Sequence, residues 1–196
     1  EAKEHGAAIV VIDPSKTRTA AAADRHIRPM PGTDAALALG MMHVIVGEGL
    51  HDRDFVARHT VGFDALAAHL RPHTPAWAAE VTGIAAERIA ALARRYATTR
   101  PASIVLGGSS MHKGSNGWQG ARAVGCLPAL TGNVGIPGGG FGPRHGARSH
   151  GQELNDITLM DKRPPGRYVP NQMPRVTEAV VDGRLRALLL FGTDML

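Results

Sequence analysis

Gly6-Ala7-Ala8-Ile9-Val10-Val11-Ile12-Asp13-Pro14 is the stretch from which the fold class can be read. Its centre is a short, unbroken apolar run with β-branched residues, closed at once by Asp13-Pro14. A strand covered on both faces has this pattern, and such strands belong to parallel sheets. Pro14 has no N–H to give to a ladder, so the strand is expected to stop at Asp13. Upstream, residues 1–5 read as the close of a helix, with Gly6 as its cap.

Two further runs have the same character. Pro101-Ala102-Ser103-Ile104-Val105-Leu106 breaks at Gly107-Gly108, and residues 185–191 break at Gly192. Helical patterns separate them. The longest covers residues 35–48, where Leu37, Met41, Val44 and Ile45 recur at helical spacing behind a Thr33 or Asp34 cap. Shorter ones follow at 52–59, 63–70 and 75–81, then an amphipathic pattern at 85–97 and another at 118–130. Residues 135–151 read as loop, 152–174 have little periodicity, and 178–182 look helical. Strand and helix alternate, which predicts an α/β fold: a Rossmann-like three-layer unit with a mostly parallel sheet, rich in helix. Residues 9–12 and 103–106 are expected to lie parallel in one sheet.

The composition narrows the function classes. Of 196 residues, 43% are hydrophobic, as in a chain that buries a core. One cysteine, Cys126, excludes an internal disulfide framework and a self-contained iron–sulfur cluster. It falls inside an apolar helix pattern and reads as an inert buried thiol. The net charge is +5, but Lys and Arg are scattered and aromatics are only 4%, against a nucleic-acid reader and in favour of a smaller anionic ligand. The most apolar stretch, residues 35–46, is too short for a bilayer, which needs about 20 residues. Nothing at the amino end reads as a signal peptide.

In an open parallel sheet, ligands bind beyond the carboxyl ends of the strands. Asp13 stands at one such end, where a carboxylate can accept both hydroxyls of a ribose or merely brace the following turn. Gly32-Thr33-Asp34 opens a helix and offers free N–H groups beside a carboxylate, a pattern shared by anion sites and ordinary caps. Gly107-Gly108 permits close backbone approach to a ligand, or simply makes a tight turn. The spacing of His112, His145 and His150 fits no zinc signature, and no nucleophile elbow or complete dinucleotide fingerprint occurs.

The order of segments resembles the molybdopterin oxidoreductases of the dimethyl sulfoxide reductase family. The resemblance rests on Ile12-Asp13-Pro14-Ser15-Lys16-Thr17-Arg18-Thr19-Ala20, Pro31-Gly32-Thr33-Asp34-Ala35-Ala36-Leu37, Gly49-Leu50-His51-Asp52 and Thr60-Val61-Gly62-Phe63. It continues through Leu130-Thr131-Gly132-Asn133-Val134-Gly135-Ile136-Pro137-Gly138-Gly139-Gly140 to Phe191-Gly192-Thr193-Asp194. Where that family usually reads Asp-Pro-Arg, this chain has Asp13-Pro14-Ser15-Lys16, and its last motif ends in Asp194 rather than Asn.

The resemblance implies a molybdenum or tungsten ion held by two molybdopterin guanine dinucleotides, with iron–sulfur clusters outside this stretch. It implies oxygen-atom or two-electron and proton transfer. Asp13 and Lys16 would flank a guanosine, and Gly32, Thr33 and Asp34 would meet the same nucleotide. Gly107, Gly108 and Ser110 would lie near the pterin, and Thr193 and Asp194 would face the other dinucleotide. Arg144 and His145, with Arg148 nearby, fall near a substrate arginine of the family's formate dehydrogenases. Residues 1–144 are expected to form one Rossmann-like subdomain and 145–196 a crossover into the next. The chain is expected to be an internal piece of a larger enzyme, inactive alone, partnered by the parent's other domains and an electron-transfer subunit. A stand-alone nucleotide-binding or assembly module is the alternative.

Overall fold

The computed structural model describes residues 2–107, 117–143, 162, 164, 165, 168, 169 and 173–187. The chain divides into two compact units, Glu1–Gly146 and Ala147–Leu196.

The first unit opens with a turn at residues 2–6 rather than a helix, and Gly6 adopts φ +82°. Strand β1 (Val10–Ile12), helix α1 (Arg18–Ala22) and strand β2 (Arg25–Ile27) follow. Next come α2 (Asp34–Gly47), α3 (Arg53–His59), α4 (Phe63–Leu70), α5 (Pro75–Thr82) and α6 (Ala86–Thr98). Strand β3 (Ser103–Leu106), helix α7 (Gly117–Leu130) and strand β4 (Gly140–Pro143) complete the described part. In the second unit, α8 (Met173–Val181) begins earlier than the 178–182 pattern suggests and buries Ala179, whose carbonyl accepts the Leu185 N–H.

The fold is α/β, helix-rich and built on parallel strands, as the alternation predicts. Its sheet differs in detail. β1 pairs with β2 and β3 pairs with β4, both in parallel, so residues 9–12 and 103–106 do not pair with one another among the described residues. The reason is local. A parallel return needs a crossover of about a dozen residues, and α1 brings Arg25-His26-Ile27 back beside β1 over that distance. Leu185–Ala187, the described start of the apolar run 185–191 expected as a strand, are not in a strand, and from Leu188 on the run lies outside the described residues.

Helix α2 is the centre of the core. Leu37, Ala38, Met41, Met42, Val44 and Ile45 are all buried, and they pack among α4, α5, α6 and α7. A helix surrounded in this way has no polar face, which is why its apolar residues run nearly all round. The helix starts follow from capping chemistry. Asp52 accepts the Phe55 N–H at 2.9 Å to begin α3, and Thr74 accepts the Trp77 N–H at 3.2 Å just ahead of Pro75 in α5. Gly83, at φ +72°, ends α5 in the left-handed conformation that glycine tolerates best. No described helix is long and apolar enough to cross a membrane.

Candidate cofactor-binding site

Because β1 and β2 run parallel with Ile12 opposite Ile27, the segments leaving the two strands start from the same end of the pair. One is Asp13–Lys16 and the other runs from Arg28 to Asp34. These contain two of the stretches singled out in the sequence, and the contact between the segments is the Arg28 side chain on the Pro14 carbonyl.

The first segment is braced. Asp13 Oδ1 accepts the Ser15 N–H at 2.7 Å, so part of the carboxylate does close the turn. The Asp13 carbonyl accepts from His26 Nε2 at 2.8 Å, and the Pro14 carbonyl accepts from Arg28 Nε at 3.1 Å. Thr17 then caps α1 through the Ala20 N–H at 3.1 Å. Lys16 stands exposed beside this turn, with no acidic partner among the described residues.

The second segment is held at its base, where the Met30 N–H donates to the Thr82 carbonyl at 2.8 Å. The Thr33 hydroxyl donates backwards to the Met30 carbonyl at 2.6 Å, so it does not cap α2. The first N–H groups of this 14-residue helix are therefore left without a side-chain partner at its positive end. Gly32 has φ +80°, and a Cβ there would meet nothing within 4 Å, so conformation rather than space calls for glycine. Asp34 is half-buried in the first turn, with no hydrogen-bond or ion-pair partner among the described residues.

This donor set suits a nucleotide. Asp34 is an acceptor-only carboxylate, the N-terminal amides of α2 are donors, and Lys16 is a cation within the neighbouring turn. A guanine edge offers two adjacent donors to a carboxylate, and phosphates take amides and a lysine. No group of three His, Cys, Asp or Glu side chains among the described residues could hold a metal ion by itself.

The other expected residues lie elsewhere. Gly107 is exposed just past β3, in the second strand pair. Gly108, Ser110, Arg144, His145, Thr193 and Asp194 lie outside the described residues. A cavity of about 620 Å³ between α3 and α4, lined by His51, Arg53, Phe63 and Asp64 among others, touches none of the candidates.

The Leu130–Gly140 motif proves to be bracing. Asn133 is buried; its Oδ1 accepts the Ala102 N–H at 2.9 Å and its Nδ2 donates to Thr131 Oγ1 at 2.8 Å. A Cβ on Gly139 would stand 2.5 Å from the Asn133 carbonyl oxygen. Packing of chain on chain explains Gly139, whereas Gly135 and Gly140 meet nothing within 4 Å and have φ +76° and +130°, so conformation calls for glycine there. The Tyr96 hydroxyl lies buried near Thr131 and Asn133 without a well-formed hydrogen bond, and burial pushes its phenol up. Cys126 is half-buried, and burial raises its thiol in the same way. His26 and Arg28 were not legible as braces, because nothing in a sequence says which carbonyl a side chain will reach.

The family model described as molybdopterin oxidoreductase matches residues 1–194. The chain belongs to the molybdopterin oxidoreductase family. Within it, the chain is 37% identical to a probable oxidoreductase of Bacillus subtilis over 99% of its own length and 28% of that protein. It is 39% identical to the dimethyl sulfoxide/trimethylamine N-oxide reductase of Rhodobacter capsulatus, over 71% of this chain and 18% of that one. Formate dehydrogenase H of Escherichia coli is 36% identical over 89% of this chain and 24% of its own. Among solved structures, acetylene hydratase from Pelobacter acetylenicus superposes with a TM-score of 0.66 at 36% identity, covering 70% of this chain and 19% of that one. The reductase and formate dehydrogenase relatives are members of the dimethyl sulfoxide reductase family, as the sequence motifs suggest. The chain spans about a quarter of their length or less. Family membership implies molybdopterin carrying molybdenum or tungsten.

Proposed function

We propose that this chain is the guanine-nucleotide-binding region of a molybdenum or tungsten oxidoreductase that carries molybdopterin as its guanine dinucleotide. The observation behind this reading is the parallel pairing of β1 with β2, from whose common end depart the segment Asp13–Lys16 and the loop that leads to Gly32–Asp34. Asp34 is assigned to the guanine N1–H and exocyclic amine, Lys16 and the α2 amides to phosphate, and Asp13 to the ribose. Gly107, Gly108 and Ser110 are assigned to the pterin side, Thr193 and Asp194 to a second dinucleotide, and Arg144 and His145 to substrate. When bound, the pterin-held metal supplies two-electron chemistry, for oxygen-atom or electron and proton transfer.

The task of these residues is to hold and orient. His26 and Arg28 fix the turn that carries Asp13, and the Met30–Thr82 hydrogen bond fixes the loop that carries Asp34. Residues 1–144 form the first subdomain of this reading and 145–196 lead into the next. Further domains of the parent and an electron-transfer subunit would complete the enzyme, with any iron–sulfur cluster lying outside this chain.

A change of nucleotide preference tests the Asp34 assignment. Asn in place of Asp34 trades one acceptor for a donor, which suits xanthine and disfavours guanine. In full-length protein freed of cofactor, Asp34→Asn should bind xanthosine monophosphate better than guanosine monophosphate, reversing the wild-type order. An unchanged order would remove Asp34 from the base site.

A further inference from the structure

A cleft of about 200 Å³ lies between β2 and α6, lined by Arg25, His26, Ile27, Arg88, Ala91 and Leu92. Its apolar floor includes the buried Ile27 and Leu92, and its polar lining is basic. No acid among the described residues pairs with Arg25 or Arg88.

The surrounding charges are already engaged. Asp24, adjacent to Arg25, accepts the Ile9 N–H through Oδ2 at 2.8 Å and meets Lys3 through Oδ1 at 2.9 Å. Arg94, on the same helix as Arg88, is forked onto Glu48 at 2.9 and 2.7 Å. Glu87 adjoins Arg88, but successive helical residues point in different directions. Arg25 and Arg88 are therefore the two guanidinium groups of this cleft with donors to spare.

The backbone adds a third donor. Ile9 accepts the Arg25 N–H and Ile27 accepts the Asp13 N–H, at 3.2 and 3.0 Å, so Arg25 and Ile27 face β1. His26 between them turns its own N–H towards the edge of β2 away from β1, where no partner strand lies among the described residues. Its ring is fixed by the Asp13 carbonyl, which accepts from Nε2. The cleft runs along the whole of β2, from Arg25 to Ile27, and none of its lining residues belongs to Asp13–Lys16 or Arg28–Asp34, the segments assigned to the nucleotide.

We propose that this cleft is a separate anion site that takes a phosphate group, gripped by Arg25 and Arg88 with the His26 N–H beneath it. Arginine forks match tetrahedral oxyanions, and charge-assisted hydrogen bonds are the strong ones. The volume is below the roughly 300–1,000 Å³ of drug-sized ligand sites, so it admits the phosphate and not a whole dinucleotide.

Hydrogen exchange followed by mass spectrometry on the full-length protein tests this, with inorganic phosphate replacing chloride at constant ionic strength. Peptides covering residues 24–28 and 86–93 should exchange more slowly in phosphate, saturably. The doubly substituted Arg25→Gln/Arg88→Gln protein should need about tenfold more phosphate or higher, as expected when charge-assisted bonds are lost. Both arginines are exposed, so its thermal midpoint should match that of Arg58→Gln, the control on α3. Guanosine monophosphate run alongside separates the sources: an equal midpoint assigns the site to the phosphate group alone, and a lower one to phosphate carried on a nucleotide. Absence of protection at these peptides with either probe, or protection undiminished in the double variant, overturns the proposal.

Discussion

Arg100 joins Asp52 to Gly132: its Nη1 donates to Asp52 Oδ2 at 2.8 Å, and its Nη2 donates to the Gly132 carbonyl at 2.8 Å. Asp52 meanwhile caps α3, so one side chain serves the start of a helix and the loop leading to β4. Removing it loses a cap and a charge-assisted bond together. Asp52→Ala is expected to destabilise the protein by about 1–3 kcal/mol, measured by urea unfolding of the full-length protein. Gly132→Ala should do comparable harm, because its Cβ would fall 2.4 Å from Asp52 Oδ2 at a backbone φ of +64°. A neutral result for both would mean that this bridge contributes nothing to stability.

Gly40 and Gly47, both in α2, should respond to alanine with opposite signs. Helix propensity alone favours alanine by about 0.5–1 kcal/mol at either position. At Gly40, however, a new Cβ would stand 2.6 Å from Ala78 Cβ in the α2–α5 contact, whereas at Gly47 it meets nothing within 4 Å. Overpacking costs about 1–3 kcal/mol, so it wins at Gly40 and is absent at Gly47. Thermal midpoints should fall for Gly40→Ala and rise slightly for Gly47→Ala. Equal shifts would show that the two helices separate without cost.

His51 should make the fold sensitive to mild acid. Burial, then Arg53 nearby, holds its imidazole below the ordinary value of 6.5, and its Nδ1 is buried without a partner. A base whose folded pKa is depressed costs nothing while both states are neutral. As pH falls through about 6.5, the unfolded state takes up the proton first and stability drops. Between pH 7.5 and 5.5, the urea midpoint should therefore fall further in wild type than in His51→Phe, which retains ring packing on Phe63. Parallel curves would exclude His51 as the source.

Much of the helical framework is legible in the sequence because caps and apolar spacing are local. Residues 63–70 are read to the residue, and α2, α3, α5, α6 and α7 to within a residue or so, whereas the five-residue α1 has no apolar period long enough to announce it. Strands β2 and β4 are not, for physical reasons. Arg25-His26-Ile27 buries only one apolar side chain fully, and Gly140-Phe141-Gly142-Pro143 has the composition of a loop; each is a strand because a partner lies beside it. The candidate site follows the same division. Asp13, Gly32, Thr33 and Asp34 can be named from strand ends and a helix start. That Thr33 turns its hydroxyl back to Met30 and leaves the α2 amides open depends on loop geometry beyond the reach of pattern. The bracing role of Asn133 has no sequence signal beyond a polar residue between glycines.

Whether Asp34 holds the cofactor's guanine is tested most directly by what the purified enzyme retains. Full-length wild type, Asp34→Asn and Asp54→Asn would be isolated in parallel, and guanosine released by hydrolysis would be counted per polypeptide along with metal. Asp54 pairs with Arg58 on exposed α3 and controls for loss of a carboxylate elsewhere. Losing the partner of a buried polar group costs roughly 1–3 kcal/mol, and 1.4 kcal/mol is about one decade in affinity. Asp34→Asn should therefore lose most of its guanosine and metal while Asp54→Asn keeps the wild-type amount. Equal retention by the two variants would contradict the assignment and leave Asp34 as the first residue of a helix and nothing more.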